Sequence, residues 1–307
     1  MYPARIYLMR RSVKMPESDA GVPVLCPLCG APVRAESSVV DYPLQVCARC
    51  QVEFLHPQPD DATLAAIYND NYFLHGQVAE AEERMSSMKR ATAVRYMDMI
   101  GRLLPEGGCR LLEIGCGHGD MLVEACKRGY EVAGVEFSPH AVEIANQRLG
   151  RSAVLVGSID TVELPAEYFD LVAFVDVIEH VRDPKVFLER VHGVLKPGGM
   201  AFLITPSLGS WSRRVMGTKW MEYKIEHLFY FSGRSIRKLL GSCAFHEVGI
   251  RSNRKVLTLD YLWRHFDRFK VPVLSPLVGM LRRMTPSALA YRHVVIPASG
   301  LVATARK

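Results

Sequence analysis

From Arg110 to Pro206 short apolar runs alternate with amphipathic stretches, and this alternation restricts the fold more than any other feature. CRLLEI, YEVAGVEF, AVLVG, DLVAFVDV and MAFLITP read as strands. GDMLVEACKRG, SPHAVEIANQRLG and DPKVFLERVHGVL read as helices; Gly129 stops the first, and Ser138 caps the second with Pro139 in its first turn. Strict alternation implies a parallel sheet covered on both faces. Two later runs, EVGIRSNRKV and GLVATARK, add further strands. The apolar, basic, proline-broken stretch between them, about residues 257 to 292, is too long for a hairpin loop and should form helices.

The first of these strands runs into the turn Gly115-Cys116-Gly117-His118-Gly119, with Glu113 before it and Asp120 after it. Glycines let backbone approach a ligand, and the following helix offers free N–H groups. The pyrophosphate fingerprint is G-x-G-x-x-G. Here the pattern is E-x-G-x-G-x-G, and carboxylates on both sides repel phosphate while suiting an ammonium or other cation. Glu136 ends the second strand, where a carboxylate accepts the hydroxyls of a ribose. The expected ligand therefore has a ribose, a positive charge and no pyrophosphate, properties that S-adenosylmethionine combines.

LLEIGCGHGD, GVEFSPHAVEIA, FDLVAFVDVIEHVRDP and LKPGGMAFLITP, in this order, resemble the motifs of class I S-adenosylmethionine-dependent methyltransferases. The resemblance implies an α/β, Rossmann-like fold: a seven-stranded, mostly parallel sheet whose last strand is antiparallel. It implies that Glu113, Gly115, Cys116 and Gly117 shape the methionine pocket, with Gly119 and Asp120 just behind. Glu136 would bind the ribose and Phe137 pack on the adenine. Ser158 and Ile159 occupy the adenine-edge position; many relatives carry Asp where Ser158 stands, and Asp160 is its substitute here. Asp176 would lie beside the transferred methyl, or else cap the next helix.

Four of the eight cysteines form two pairs, Cys26/Cys29 and Cys47/Cys50, separated by seventeen residues. That spacing falls within the roughly 15–20 residues of a zinc ribbon. Four thiolates leave no open coordination position, so the expected zinc is structural. The other cysteines are scattered singly, a reduced, intracellular pattern that points to the cytoplasm. The expected organisation is a disordered tail over 1–21, a zinc ribbon over 22–60, a helical cap over 61–105, and the cofactor-binding core over 106–307. A zinc ribbon followed by FLHPQP and IYNDNYF resembles a subgroup of bacterial small-molecule methyltransferases.

A hydroxyl or carbon acceptor must lose a proton, so a base is useful. His227, in KIEHLFYFS, is the first candidate, with Glu226 orienting it; His180, in VIEHV, is the second. Either histidine could instead anchor its loop by hydrogen bonds. Tyr68 and Tyr72 are candidate lid residues over the cofactor. Trp211, Trp220, Tyr223 and Phe229 flank the His227 segment and point to an acceptor with hydrophobic surface. The 257–292 insertion would serve as a substrate lid, a dimer contact or a peripheral membrane contact.

A net charge of +6 on 307 residues neither demands nor excludes an acidic partner. No apolar run approaches the roughly 18 residues of a membrane span. The leading reading is transfer of a methyl group to a small-molecule or lipid-like acceptor, on oxygen, in a biosynthetic pathway. An RNA methyltransferase using the ribbon as its grip is disfavoured, because only Arg34 and Arg49 are basic between residues 22 and 60. A non-catalytic cofactor-binding scaffold is disfavoured by the intact acidic residues of the glycine turn.

Overall fold

A computed structural model describes residues 24–39, 42–67, 79–104, 108–268, 271 and 274–307. The expected tail over 1–21 lies outside them. The chain begins with β1 (Arg34–Val39), β2 (Tyr42–Val46) and β3 (Glu53–Leu55), then α1 (Asp61–Ile67) and α2 (Ala79–Gly101). The alternating stretch follows: β4 (Arg110–Ile114), α3 (Asp120–Lys127), β5 (Glu131–Glu136), α4 (Pro139–Leu149), β6 (Val154–Val156), β7 (Phe169–Val175), α5 (Pro184–Val194) and β8 (Leu195–Pro206). Then come α6 (Trp211–Met216), β9 (Phe229–Tyr230), α7 (Gly233–Ser242) and β10 (His246–Leu257). The insertion is helical, as expected, with α8 (Leu259–Arg268), α9 (Leu274–Met284) and α10 (Ser287–Ala290), and β11 (Val294–Arg306) closes the chain.

The main sheet has seven strands in the order β10-β11-β8-β7-β4-β5-β6. The run from β8 to β6 is parallel, and β11 enters antiparallel between β8 and β10. This is the Rossmann-like, mostly parallel sheet with an antiparallel last strand that the sequence implied. The chain winds outward from β4 to β6 and then returns to β7 on the other side of β4. That reversal opens a crevice at the carboxyl ends of β4 and β7, where such sheets bind ligands.

Strand side chains alternate between faces, so each central strand feeds two cores. Met200, Phe202 and Ile204 of β8 join α2, α3 and α4, whereas Ala201 and Leu203 join α5 and α7. α2 buries Ala93, Tyr96, Met97 and Ile100, an apolar stripe at helical spacing, and so forms part of the first layer.

A second sheet, β1-β2-β3-β9, pairs the cysteine-rich segment with a strand from far along the chain. Phe54 stands opposite Phe229 and Glu53 opposite Tyr230. Cys26, Leu28, Val52 and Phe54 share a buried cluster with Phe174 and Leu203 of the main sheet. The cysteine segment therefore packs as part of the body of the protein.

The short edge strand β6 is held by one side chain of α4. Asn146 Oδ1 accepts the Ala153 and Val154 N–H groups at 2.9 Å, and its Nδ2 donates to the Val154 carbonyl at 3.0 Å. Asn146→Ala leaves these main-chain groups without that partner. It should lower the unfolding free energy by about 1–3 kcal/mol, read by chemical denaturation; an unchanged midpoint would show that β6 is held by packing alone.

Candidate active site and cysteine cluster

The glycine turn begins where β4 ends. Gly115 has φ +68°, and a Cβ added there would sit 2.5 Å from Val177 Cγ2. Only glycine lets this turn pass so close under the loop that follows β7. Gly117 has φ +52° with nothing within 4 Å of an added Cβ, so its backbone faces open space. Glu136 organises the turn from β5: its Oε2 accepts the Gly117 N–H at 2.8 Å, and its Oε1 accepts the Ser138 N–H at 3.0 Å. Each carboxylate oxygen keeps a further lone pair for a hydroxyl donor. Phe137, next in the chain, is 74% exposed. One cavity is lined by Gly115, Glu136, Phe137, Ser158, Ile159 and Asp160. The Ser158 N–H is committed to Thr161 Oγ1 at 2.9 Å, and Asp160 lies 3.8 Å from Arg190.

Glu113 points inward from β4 and is buried. Its Oε2 has no hydrogen-bond partner among the described residues. Burial, with Asp120 and Glu136 nearby, pushes its carboxyl well above the usual range. A cation beside it would reverse that shift. Burial likewise raises the Cys116 thiol, which keeps it protonated and inert. Asp120 is paired with Arg148 at 2.8 Å, which ties α3 to α4, and Gly119 caps α3 in left-handed geometry. This set of groups fits the sulfonium nucleoside expected from the sequence: acceptors for a ribose, an orphaned buried carboxylate for a cation, and an exposed ring for a base.

A second cluster stands at the carboxyl end of β7. Asp176 adopts φ +53°, a left-handed conformation costly for a non-glycine residue, and pairs with Lys255 of β10 at 2.9 Å. Glu179 is 1% exposed; its Oε2 accepts from Thr205 Oγ1 at 2.9 Å, and its Oε1 is buried without a partner among the described residues. The His180 Nδ1 pairs with the Glu226 carbonyl at 2.9 Å and the His227 Nδ1 with the Glu222 carbonyl at 2.8 Å. The two rings meet edge to face with centroids 4.7 Å apart.

Three expectations are revised here. The Glu226 side chain is not the group that orients His227; the Glu222 carbonyl does this, and Glu226 offers its own carbonyl to His180. A neutral carbonyl holds a buried imidazole without burying a second charge. Burial drives the His180 ring down to about 4 and the His227 ring well below its ordinary value, so both are proton-poor and weak as free bases. Of the four aromatics, Trp220, Tyr223 and Phe229 are buried in packing; Trp211 alone is exposed, at 43%. Tyr68 and Tyr72 lie outside the described residues. Glu179, Thr205 and Lys255 were not singled out from sequence, although Glu179 stands beside His180 in D-x-x-E-H.

The four paired cysteines converge. Cys26 and Cys50 Sγ are 3.5 Å apart, as are Cys29 and Cys47 Sγ, and all four sulfurs lie within 4.8 Å of one another. Bonds of about 2.3 Å to a tetrahedral zinc would set sulfurs roughly 3.8 Å apart, so the donor set fits that ion. The two knuckles repeat one turn: the Gly30 N–H bonds the Cys26 carbonyl and the Gln51 N–H bonds the Cys47 carbonyl, each at 2.8 Å. Gly30 and Gln51 both have positive φ.

A family model described as "Methyltransferase domain" matches residues 88–244, just over half of the chain. The chain belongs to this methyltransferase-domain family. The match runs from within α2 to just beyond α7, and the cysteine segment and the C-terminal insertion lie outside it. A ubiquinone biosynthesis O-methyltransferase of Cereibacter sphaeroides is 28% identical over 144 residues, 45% of this chain and 58% of that protein. One from a Chelativorans species is 35% identical over 105 residues, 33% of this chain and 42% of that protein. The chain spans about half the length of the curated relatives it matches. A SAM-dependent methyltransferase from Thermotoga maritima superposes with a TM-score of 0.50 at 23% identity, covering 77% of this chain and 99% of that one. A methyltransferase solved with the Trm112 methyltransferase activator of Haloferax volcanii gives 0.51 at 19% identity, covering 74% and 94%. These structures show the shared fold. Among the described residues, no helix is long and apolar enough to cross a membrane.

The cysteine segment is joined to the His227 loop by side chains as well as strands. Tyr223 OH donates to Glu53 Oε2 at 2.6 Å and accepts from Arg213 Nε at 2.7 Å. Tyr223→Phe removes both bonds and should cost about 1–3 kcal/mol of stability in thermal or chemical unfolding. A neutral result would mean that Arg213 and Glu53 close on each other.

Proposed function

We propose that the chain is an S-adenosylmethionine-dependent methyltransferase that methylates a hydroxyl of a small-molecule or lipid-like acceptor in a biosynthetic pathway. The observation that carries this reading is a single cleft edge shared by two sets of groups. Glu113 and Glu136 stand at the ends of β4 and β5, and Asp176, His180 and His227 gather past the end of neighbouring β7. The choice of oxygen is supported by the O-methyltransferase relatives. In this reading Glu136 takes the ribose hydroxyls, Phe137 covers the adenine, and Ser158 and Ile159 meet its edge. Glu113 faces the cationic methionine end across Gly115 and Gly117. The cofactor, when bound, supplies an activated methyl group; the protein aligns the acceptor oxygen with it and excludes water. His227 and His180 act on the acceptor side, where the hydroxyl proton must leave.

The four cysteines hold a structural zinc in the same proposal, since four thiolates leave no position for substrate. The ion would keep β3 in place and, through β3, the β9 strand beside His227.

The test is incubation of the purified protein with methyl-labelled S-adenosylmethionine and a cell extract, followed by separation of organic-soluble, small polar, RNA and protein fractions. Label in an organic or small polar fraction supports the proposal. Label in RNA would make the cysteine segment a nucleic-acid module, and cofactor binding with no transfer would make the chain a scaffold. His227→Ala should keep cofactor affinity within about two-fold while turnover falls by about 10²-fold, the scale on which a misplaced acceptor costs rate. Unchanged turnover would remove His227 from the chemistry.

A further inference from the structure

We infer that α9, with the arginines beside it, docks the protein on an anionic lipid bilayer. The helix belongs to the insertion between β10 and β11, beyond the residues matched by the methyltransferase-domain family. Leu277, Met280, Leu281 and Met284 follow the i, i+3, i+4, i+7 spacing of a single helix face. They are 53%, 55%, 51% and 75% exposed, and no residue of α9 is buried. A surface helix of a soluble domain normally turns such a stripe toward the core.

The opposite face holds α9 in this orientation. Gly279 lies against Trp263 of α8, whose indole would stand 3.9 Å from a Cβ added at the glycine. Asp260, near the start of α8, is buried and accepts from Arg264 Nε at 2.8 Å and from Arg282 Nε at 2.9 Å. The Arg282 guanidinium also reaches the rings of Trp263 and Tyr291, 6.0 and 5.8 Å from their centroids. The charged side of α9 therefore faces the protein and its apolar side faces out, as in surfaces that bind a partner or a membrane.

The charge around the stripe selects the occupant. Between Leu259 and His293 the chain carries six Lys or Arg residues and two Asp residues. Asp260 is already taken by Arg264 and Arg282. Arg283, at the margin of the stripe, and Arg292, just past α10, are exposed and have no ion pair among the described residues. A second copy on the same face would press one basic rim against another, because a two-fold contact is self-complementary. A bilayer with anionic headgroups meets both features: the apolar side chains enter the headgroup boundary and the arginines meet phosphates. Eleven residues make a helix about 16 Å long, suited to lie in that boundary.

The position of α9 bears on the acceptor. β11 is antiparallel to both β8 and β10, so β10 runs parallel to β8 and delivers the insertion at the carboxyl edge of the sheet, where the cleft opens. His265 Nε2 of α8 lies 2.9 Å from Met221 Sδ, beside the segment that carries His227. His293 Nε2 lies 3.3 Å from Ser87 Oγ of α2. A docked α9 would bring the cleft to the bilayer surface, where a lipid-like acceptor resides. That consequence rests on the proposed methyl transfer; the docking itself does not.

Co-sedimentation of the full-length protein with phosphatidylcholine vesicles, with and without about 30 mol % phosphatidylglycerol, tests the docking without cofactor or acceptor. Binding is expected to the anionic vesicles and should weaken about ten-fold as salt rises from ~0.1 M to ~0.5 M. The double change Met280→Ser and Leu281→Ser alters exposed side chains only and should weaken binding about ten-fold or more, with far-ultraviolet circular dichroism checking the fold. Arg283→Glu with Arg292→Glu should remove the preference for anionic vesicles. No sedimentation with anionic vesicles, or equal binding by the folded Met280/Leu281 variant, overturns the docking. A dimer in sedimentation velocity that this variant dissociates, without vesicle binding, assigns the stripe to a second copy and overturns it as well. If the protein docks but wild type and the Met280/Leu281 variant label the organic-soluble fraction of a cell extract at the same rate, the docking stands and its role in acceptor access is overturned. Docking with no label in any fraction overturns the transferase reading alone.

Discussion

The hydrogen bonds from the Leu228 and Phe229 amides to the Glu179 carbonyl, with the His180–Glu226 bond and the His180–His227 ring contact beside them, hold together two distant parts of the chain. One side of this contact is the turn after β7, which carries Asp176, Glu179 and His180. The other is the segment from Glu222 to Phe231, which brings His227. The same segment continues into β9, only two residues long, which is paired through β3 to the cysteine knuckles. A two-residue strand has little stability alone. It persists because Phe229 and Phe231 are buried and because β3 is anchored by the cysteine cluster behind it. Small metal-bound segments depend on their ion for folding. In the proposed reading the cysteine segment, with its ion bound, would brace the acceptor side of the cleft.

The carboxyl edge of the sheet is unusual in how many carboxylates it buries. Glu113, Glu136 and Glu179 are all buried. Burying an ionised group is costly unless it is paired. Glu136 has two main-chain amides, Glu179 has one hydroxyl, and Glu113 has an oxygen without a partner among the described residues. The remaining deficit is the kind that a cationic ligand removes, and binding to the folded state alone adds stability by mass action. The glycine turn resembles a dinucleotide loop in shape but is opposite in charge.

Local features were legible in the sequence and distant pairings were not. Ser138 does cap α4, its hydroxyl accepting the Ala141 N–H at 3.3 Å, and the alternation from Arg110 onward does build the parallel sheet. Each of these depends on neighbours a few residues apart. The histidine environments depend on carbonyls; His180 finds its partner 46 residues away, and a main-chain acceptor leaves no trace in residue type. The aromatics were misread for a related reason. Trp220 and Tyr223 lie near His227 in sequence, yet they pack edge to face with each other and bury against Leu44 and Leu55 of the ribbon sheet. Proximity in sequence gave the neighbourhood and not the facing direction.

Charge balance at the β7 end separates two ways of using the same residues. Asp176 is matched by Lys255, whose ammonium is held above its ordinary value chiefly by that carboxylate. The pair is close to neutral and links the edge strand β10 to the site. Among the described residues Glu179 has no such cation, and burial disfavours the charged form of the two imidazoles beside it. A general base here would have to become an imidazolium in a setting that disfavours it. In the proposed reading both rings stay neutral and position the acceptor oxygen for transfer.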